Sequence, residues 1–198
     1  MKNGFTRGIG GRIVLRLDDL ERHILTDLVT QLAALVAPEP ADPDADPLAR
    51  LVDIDTEAER PDDPVLLRLF PDAYADDEAA SEDFRRFTER SLREGKSSNA
   101  ATVLDALARS GSKVVLTADQ AGAWLGSLND LRLVMAGRLG LDEDNHDQFL
   151  ALPEDHPARG VYLAYDWLTF LQETLIQAIT GTSLWPEDVG DPDPGPAP

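Results

Sequence analysis

Three histidines, His23, His146 and His156, are the side chains of this sequence best suited to moving protons near neutral pH. They stand far apart in the chain. No pair has the His-x-x-x-His spacing that sets two imidazoles on one helix face for zinc, so they read as solvated side chains. Two aspartate strings imitate calcium loops. In Asp42-x-Asp44-x-Asp46, Pro47 occupies the place where the sharp turn needs glycine, and Asp53 stands where a bidentate glutamate belongs. Asp142-x-Asp144-x-His146 departs from the pattern at its fifth and sixth positions. Both read as acidic loops, and no metal site is expected. The sequence has neither a phosphate-cradling G-x-x-x-x-G-K-S/T nor a G-x-S-x-G nucleophile elbow. Gly8-Ile9-Gly10-Gly11 is rich in glycine, but no helix opens behind it, so it reads as a turn. There is no cysteine, which excludes thiolate ligands, disulfides and a thiol redox switch. Nothing nominates a nucleophile with its base. The expectation is a protein without a cofactor that is not an enzyme.

The run Arg85-Arg86-x-x-x-Arg90-x-x-Arg93-x-x-Lys96 carries more information. Arg86, Arg90 and Arg93 share one helical face by the three–four rule. They read either as a solvated face paired with nearby acids or as a docking surface for phosphate or an acidic partner. A helix-turn-helix can be drawn here: a helix over 82–94, a turn at Gly95–Ser98 and a recognition helix over 99–110, with strands at 5–16 and 114–116 as a wing. Its weakness is chemical, because Ala100, Ala101, Ala106 and Ala108 offer base edges few hydrogen-bonding groups. Together with Arg7 and Arg12, residues Arg86, Arg90, Arg93 and Lys96 form the candidate partner- or DNA-binding set. A second set, Asn129, Asp130, Arg132, Asp166 and Gln172, interrupts apolar helices. Buried charges must pair, so these are expected to form a polar network between two helices, with Arg132 reaching Asp166.

The distribution of charge sharpens this picture. The formal net charge is −19. Residues 39–83 contribute 16 acidic and 3 basic side chains, and residues 182–198 add 4 acidic ones. The remainder is nearly neutral, with local excesses of basic residues over 1–16 and 84–113. An acidic chain is repelled by nucleic acid unless its basic patches share a face. The acidic segment is also well placed to fold back on the basic stripe.

The elements that must position these residues follow from periodicity and punctuation. Residues 5–16 predict a β-hairpin turning at Gly10-Gly11. Asp18 and Glu21 form a capping box for a helix that Pro38 ends near Ala37. Its apolar stripe is Leu25, Leu28, Leu32 and Leu35, widened by Ile24 and Val36. Residues 38–63 are an acidic, proline-rich insertion with an island at Leu48–Val52. Val65–Phe70 is a second island, expected to dock as a short helix. A helix follows over 77–94, Gly95 to Ser98 are a place where it can break or bend, and residues 99–110 continue helically, burying Val103, Leu104 and Leu107, so that 77–110 supplies one of the core helices. A strand at Val114–Leu116 is a candidate partner for the hairpin. A second capping box at Thr117 and Gln120 opens a helix over 118–139, with Trp124, Leu128, Leu131 and Met135 on one face and Gly140 at its end. Residues 141–156 read as a polar loop. A last helix runs from Pro157 to about Ile179, and the proline-rich tail 182–198 is expected to be disordered.

The strings Arg16-Leu-Asp-Asp-Leu-Glu, Phe70-Pro-Asp-Ala-Tyr, Asp83-Phe-Arg-Arg-Phe-Thr-Glu, Asn99-Ala-Ala-Thr-Val-Leu, Ala123-Trp-Leu-Gly-Ser-Leu-Asn-Asp-Leu-Arg-Leu-Val and Tyr165-Asp-Trp-Leu-Thr-Phe-Leu-Gln-Glu-Thr-Leu resemble the actinobacterial domain-of-unknown-function family 2017. They do so in order, over most of residues 5–180. The resemblance implies a regulatory role. Some members are described as oxidative-stress-responsive transcription regulators acting with a sigma factor. Members are typically encoded beside a Clp-protease adaptor and a sulfur-carrier and cysteine-synthesis cluster. The thiol-based sensing proposed for that group has no counterpart in a chain without cysteine.

The combined expectation is a mainly α, single-domain helical bundle over 1–181 with a small N-terminal β-hairpin or three-stranded sheet, followed by the tail. The expected function is non-enzymatic regulation of transcription under oxidative stress, through a protein partner and with DNA as an open second partner. The alternative is an adaptor without DNA contact, linked to Clp proteolysis or sulfur metabolism. No membrane partner is expected and the cytoplasm is the default compartment. A homodimer through the first or last helix stays open.

Overall fold

The computed structural model describes residues 3–38, 60–142 and 144–181. Among these the architecture is a helical bundle capped at one end by a three-stranded antiparallel sheet, in the order β1-β2-β3. Strands β1 (Phe5–Arg7) and β2 (Ile13–Arg16) form the expected hairpin. Its connection is longer than a two-residue turn. A 3-10 turn at Ile9–Gly11 lifts the chain, with Gly10 and Gly11 at φ 71° and 76°, a region that glycine enters without a Cβ penalty. Gly8 N–H closes the loop on the Arg12 carbonyl at 2.7 Å. β3 (Lys113–Leu116) pairs with β2, with Ile13 opposite Leu116 and Arg16 opposite Lys113. The sheet's alternation points Phe5, Ile13, Leu15, Val114 and Leu116 into the core.

Helix α1 (Asp19–Val36) starts at the predicted capping box: Asp18 accepts from Glu21 N–H at 2.8 Å, and Glu21 accepts from Asp18 N–H at 3.0 Å. Its core stripe is turned slightly from the expected one. Leu25, Val29, Leu32 and Val36 are buried, while Leu28 and Leu35 flank them half-buried and Ile24 is exposed. The short helix α2 (Pro64–Leu69) docks through Val65 and Leu69. The Leu48–Val52 island lies outside the described residues.

Helix α3 runs without a break from Glu78 to Arg109, close to the 77–110 span expected of a core helix, so Gly95–Ser98 do not break it. Nothing within 4 Å crowds Gly95. A glycine in mid-helix costs only about 1 kcal/mol against alanine, which flanking packing outweighs. With no turn there is no helix-turn-helix. The would-be recognition helix instead buries Ala100, Val103, Ala106 and Leu107 in the core, and Leu104 is only half-buried.

Helix α4 (Ala118–Leu139) is the hub, packing against α1, α2, α3, α6 and β3. It opens on the Thr117–Gln120 capping box and closes at Gly140, φ 64°. Trp124, Leu128, Leu131 and Met135 are all buried, as the spacing predicted. The polar stretch after it holds a short helix, α5 (His146–Leu150), in place of a continuous loop. Asp142 spends a carboxylate oxygen accepting from the N–H groups of Asp144 and Asn145, so its role there is to shape the turn. Helix α6 (Pro157–Thr180) packs along α4 and carries β1 on its C-terminal half. Phe5 N–H donates to Thr174 Oγ1 at 3.1 Å, and a Cβ at Gly4 would stand 2.7 Å from Thr174 Cγ2, so this approach requires glycine. No helix among the described residues is long and apolar enough to cross a membrane. The Asp42–Asp46 string and the tail 182–198 fall outside the described residues.

Candidate functional site: a charge ladder under an aromatic face

The N-terminal half of α3 presents two different faces. Positions 85, 89 and 93 recur at a spacing of four and line the inner side. Arg85 Nη2 donates to Asp72 at 2.8 Å and to the Phe70 carbonyl at 3.3 Å, and its Nη1 donates to Glu89 at 2.8 Å. Glu89 also accepts from Arg93 at 2.8–2.9 Å, and Asp72 from Arg60 at 2.8 Å. The result is an alternating ladder, Arg60–Asp72–Arg85–Glu89–Arg93. Arg85 and Glu89 are buried to 6% and 9% exposure, and buried arginine is tolerated only when its donors are met. The Arg93 guanidinium lies 4.5 Å from the centre of the buried Phe70 ring and Lys96 Nζ lies 5.8 Å from it. Lys96 continues the ladder to α4, donating to Asp130 at 2.6 Å.

The electrostatics follow from this wiring. Hydrogen bonds from Arg85 and then Arg60 hold the Asp72 carboxyl below the usual carboxylate range. Burial opposes the charge on Arg85, but its bonds to Glu89 and Asp72 outweigh that and raise its proton affinity. Burial pushes the Asp130 carboxyl up, and Lys96 offsets part of the shift. A carboxylate with a depressed folded-state pKa stabilises the fold above its unfolded value, near 3.9, and loses that contribution as pH falls through the folded value. An Asp72→Asn variant is therefore expected to differ in urea midpoint from the parent at neutral pH, and the gap should close on acidification between about pH 5 and 2. Asp130 acts with the opposite sign, so the quantity to follow is the difference between the two proteins. A gap that stays constant down that range would contradict the assignment.

The outer face is aromatic. Tyr74, Phe84 and Phe87 are 50%, 46% and 61% exposed, and Tyr74 meets Phe84 edge-to-face at 6.2 Å. Beside them opens a cavity of about 240 Å³ lined by Asp72, Tyr74, Glu78, Ser81, Glu82 and Arg85, with Arg60 at its edge. Ser81 pins Tyr74 by donating to its carbonyl at 2.8 Å and accepting from its N–H at 3.0 Å.

The candidate residues read from the sequence fall in separate places. Arg86 is half-exposed and pairs with Asp83 at 3.4 Å, and Arg90 is half-buried. Arg93 and Lys96 are committed to Glu89 and Asp130. Arg7 and Arg12 belong to the sheet end. A Cβ on Gly181 would stand 2.8 Å from Arg7 Nη1, which puts that charge at the C-terminus of α6, where the helix dipole favours it. At 1.5 Å per residue, Arg86 lies roughly 35 Å along α3 from Arg109, beyond which the sheet begins. The two basic groups are thus not brought together. The polar set is divided in the same way. Asp130 joins the ladder, and Asn129 is exposed. Arg132 bridges α4 and α6 by donating to Thr169 at 2.9 Å, Gln172 at 2.8 Å and the Tyr165 hydroxyl at 3.3 Å. Asp166, on α6, is half-buried. Sequence reading missed Asp72, Tyr74, Phe84, Phe87 and Glu89. The available signal was the Arg85-x-x-x-Glu89-x-x-x-Arg93 spacing, which pairs opposite charges along one face.

The sequence profile of a domain of unknown function (DUF2017) matches residues 2–179. The chain belongs to this family. It is also similar to proteins named oxidative stress regulator AosR in Mycobacterium tuberculosis and Mycobacterium bovis, each 28% identical over 210 residues, covering 91% of this chain and 95% of the relative. A Mycobacterium leprae protein is 34% identical over 138 residues, 63% of this chain and 62% of its own length. No solved structure matches this chain at a significant level. The matched residues take in both the ladder and the α4–α6 seam.

Proposed function

We propose that this DUF2017 protein is a non-enzymatic regulator in oxidative-stress control, and that it acts by docking a protein of the transcription machinery on the Tyr74–Phe84–Phe87 face. The observation that carries this reading is the face itself: three exposed rings on the side of α3 opposite the buried ladder, two of them in edge-to-face contact. Tyrosine, phenylalanine and arginine are the residue types that concentrate binding energy at protein interfaces. The basic stripe supports DNA contact poorly, because Arg85, Arg93 and Lys96 are neutralised within the chain. A sigma factor is the partner class that the family resemblance implies.

The test uses cells of the source organism lacking this chain. They are complemented with the wild type or with a Phe84→Ser/Phe87→Ser double variant, whose fold is checked by circular dichroism. The wild type is expected to restore the transcript response to peroxide and to co-purify with a transcription factor or polymerase subunit, and the variant to lose both. A folded variant that restores the full response would overturn the docking face.

A further inference from the structure

We infer that Met135 is an oxidation site for peroxide, and that its conversion to the sulfoxide loosens the seam between α1 and α4. The sequence holds two methionines and no cysteine, so Met135 supplies the one sulfur atom among the described residues. It lies on α4, 6% exposed. A small cleft reaches it between the helices, walled by Leu28, Gln31, Leu32 and Leu35 of α1 and by Leu131, Val134 and Arg138 of α4. The cleft offers about 20 Å³. One water-sized molecule needs roughly 10–15 Å³, and hydrogen peroxide is little larger, so the oxidant can enter without unfolding the chain. A thiol reductant, a metal complex or any larger oxidant cannot.

The chemistry balances without a further reactant. A sulfur lone pair attacks one peroxide oxygen, the O–O bond breaks, and that oxygen stays on sulfur. The other leaves as water after taking up the transferred proton. Sulfur is oxidised by two electrons and the peroxide reduced by two. The product replaces a soft apolar thioether by a strong S–O dipole facing leucines. The hydrogen-bond donors in the cleft wall are the side chains of Gln31 and Arg138, both exposed. The leucines that pack the thioether offer the dipole none, and a polar group set against them disfavours the packed state. The C-terminal half of α1, which lines this seam with Leu28, Leu32 and Leu35, is the part loosened. The bearing of this device on stress control rests on the regulatory reading above. The oxidation and the loosening do not.

The experiment treats the full folded chain with hydrogen peroxide, with N-acetylmethionine amide in the same tube as the reference thioether. Peptide mass spectrometry and urea unfolding follow. Met135 is expected to gain the mass of one oxygen in the folded chain under the treatment that oxidises the reference, and the urea midpoint to fall. Met135→Leu, a volume-conserving change that keeps the fold, should keep its midpoint through the same treatment. Oxidation of Met135 only in urea-unfolded chain would overturn the site. Oxidation in the folded chain with an unchanged midpoint would overturn the loosening. Neither result touches the Phe84 and Phe87 test, so the two readings fail separately.

Discussion

Replacing Arg85 by alanine is expected to lower the free energy of unfolding by about 3 kcal/mol, the lower end of the range for breaking a buried ion pair. The lower end applies because neither carboxylate is orphaned. Asp72 keeps Arg60 and Glu89 keeps Arg93. What is lost is the middle rung, the donor to the Phe70 carbonyl and the buried stem of the arginine. The next residue provides the contrast. Arg86 pairs with Asp83 at the surface at 3.4 Å, with side chains 43% and 74% exposed, and exposed pairs contribute about 0–1 kcal/mol. Arg86→Ala is thus expected to shift the urea midpoint little. Equal losses at positions 85 and 86 would show that the ladder carries no special share of stability.

Replacing Trp124 by alanine should cost more, about 3–5 kcal/mol, the usual penalty for emptying a buried aromatic site. Trp124 is fully buried where α4 meets the sheet, with the Phe5 ring edge-on at 5.6 Å. Its loss removes the ring against which Phe5 of β1 packs as well as its own volume. Trp124→Phe separates two effects. The indole N–H has no hydrogen-bond partner among the described residues, so phenylalanine gives up contact area but removes a buried donor that is unfavourable when unmet. The phenylalanine variant should therefore lose well under half as much stability as the alanine one, as read from urea midpoints. A phenylalanine variant as unstable as the alanine one would mean that the N–H, and not the packing, secures the site.

Much of the fold was legible because its signals are local. Capping boxes at Asp18 and Thr117, the glycine at 140 and the prolines at 38 and 157 mark helix ends through chemistry confined to three or four residues. The helices over 19–36, 118–139 and 157–180 and the strand at 113–116 accordingly stand where punctuation placed them. The α1 stripe was displaced because leucine and valine serve equally as core, and only the neighbours α3 and α4 decide which row faces inward. For a related reason, the sequence leaves open whether Gly95–Ser98 break α3. Gly95 and the serines after it weaken a helix alone, but Lys96 is tied to Asp130 and Ser97 to the Val36 carbonyl, contacts that no local rule contains. The candidate site was the least legible part. A stripe of arginines announces positive charge, yet the carboxylate that neutralises it, Asp72, lies 13 residues away in sequence, within a segment that composition marks only as acidic.

The 32-residue length of α3 has a consequence for local opening. Its C-terminal third is clamped between α1 and α4, while its first turns are held by Asp72, Phe70 and one another. A continuous rod supported so unevenly does not open as one cooperative unit. Its amide hydrogens should exchange fastest near Glu78 and slowest near Val103, and a protein seated on the outboard turns would flatten that gradient.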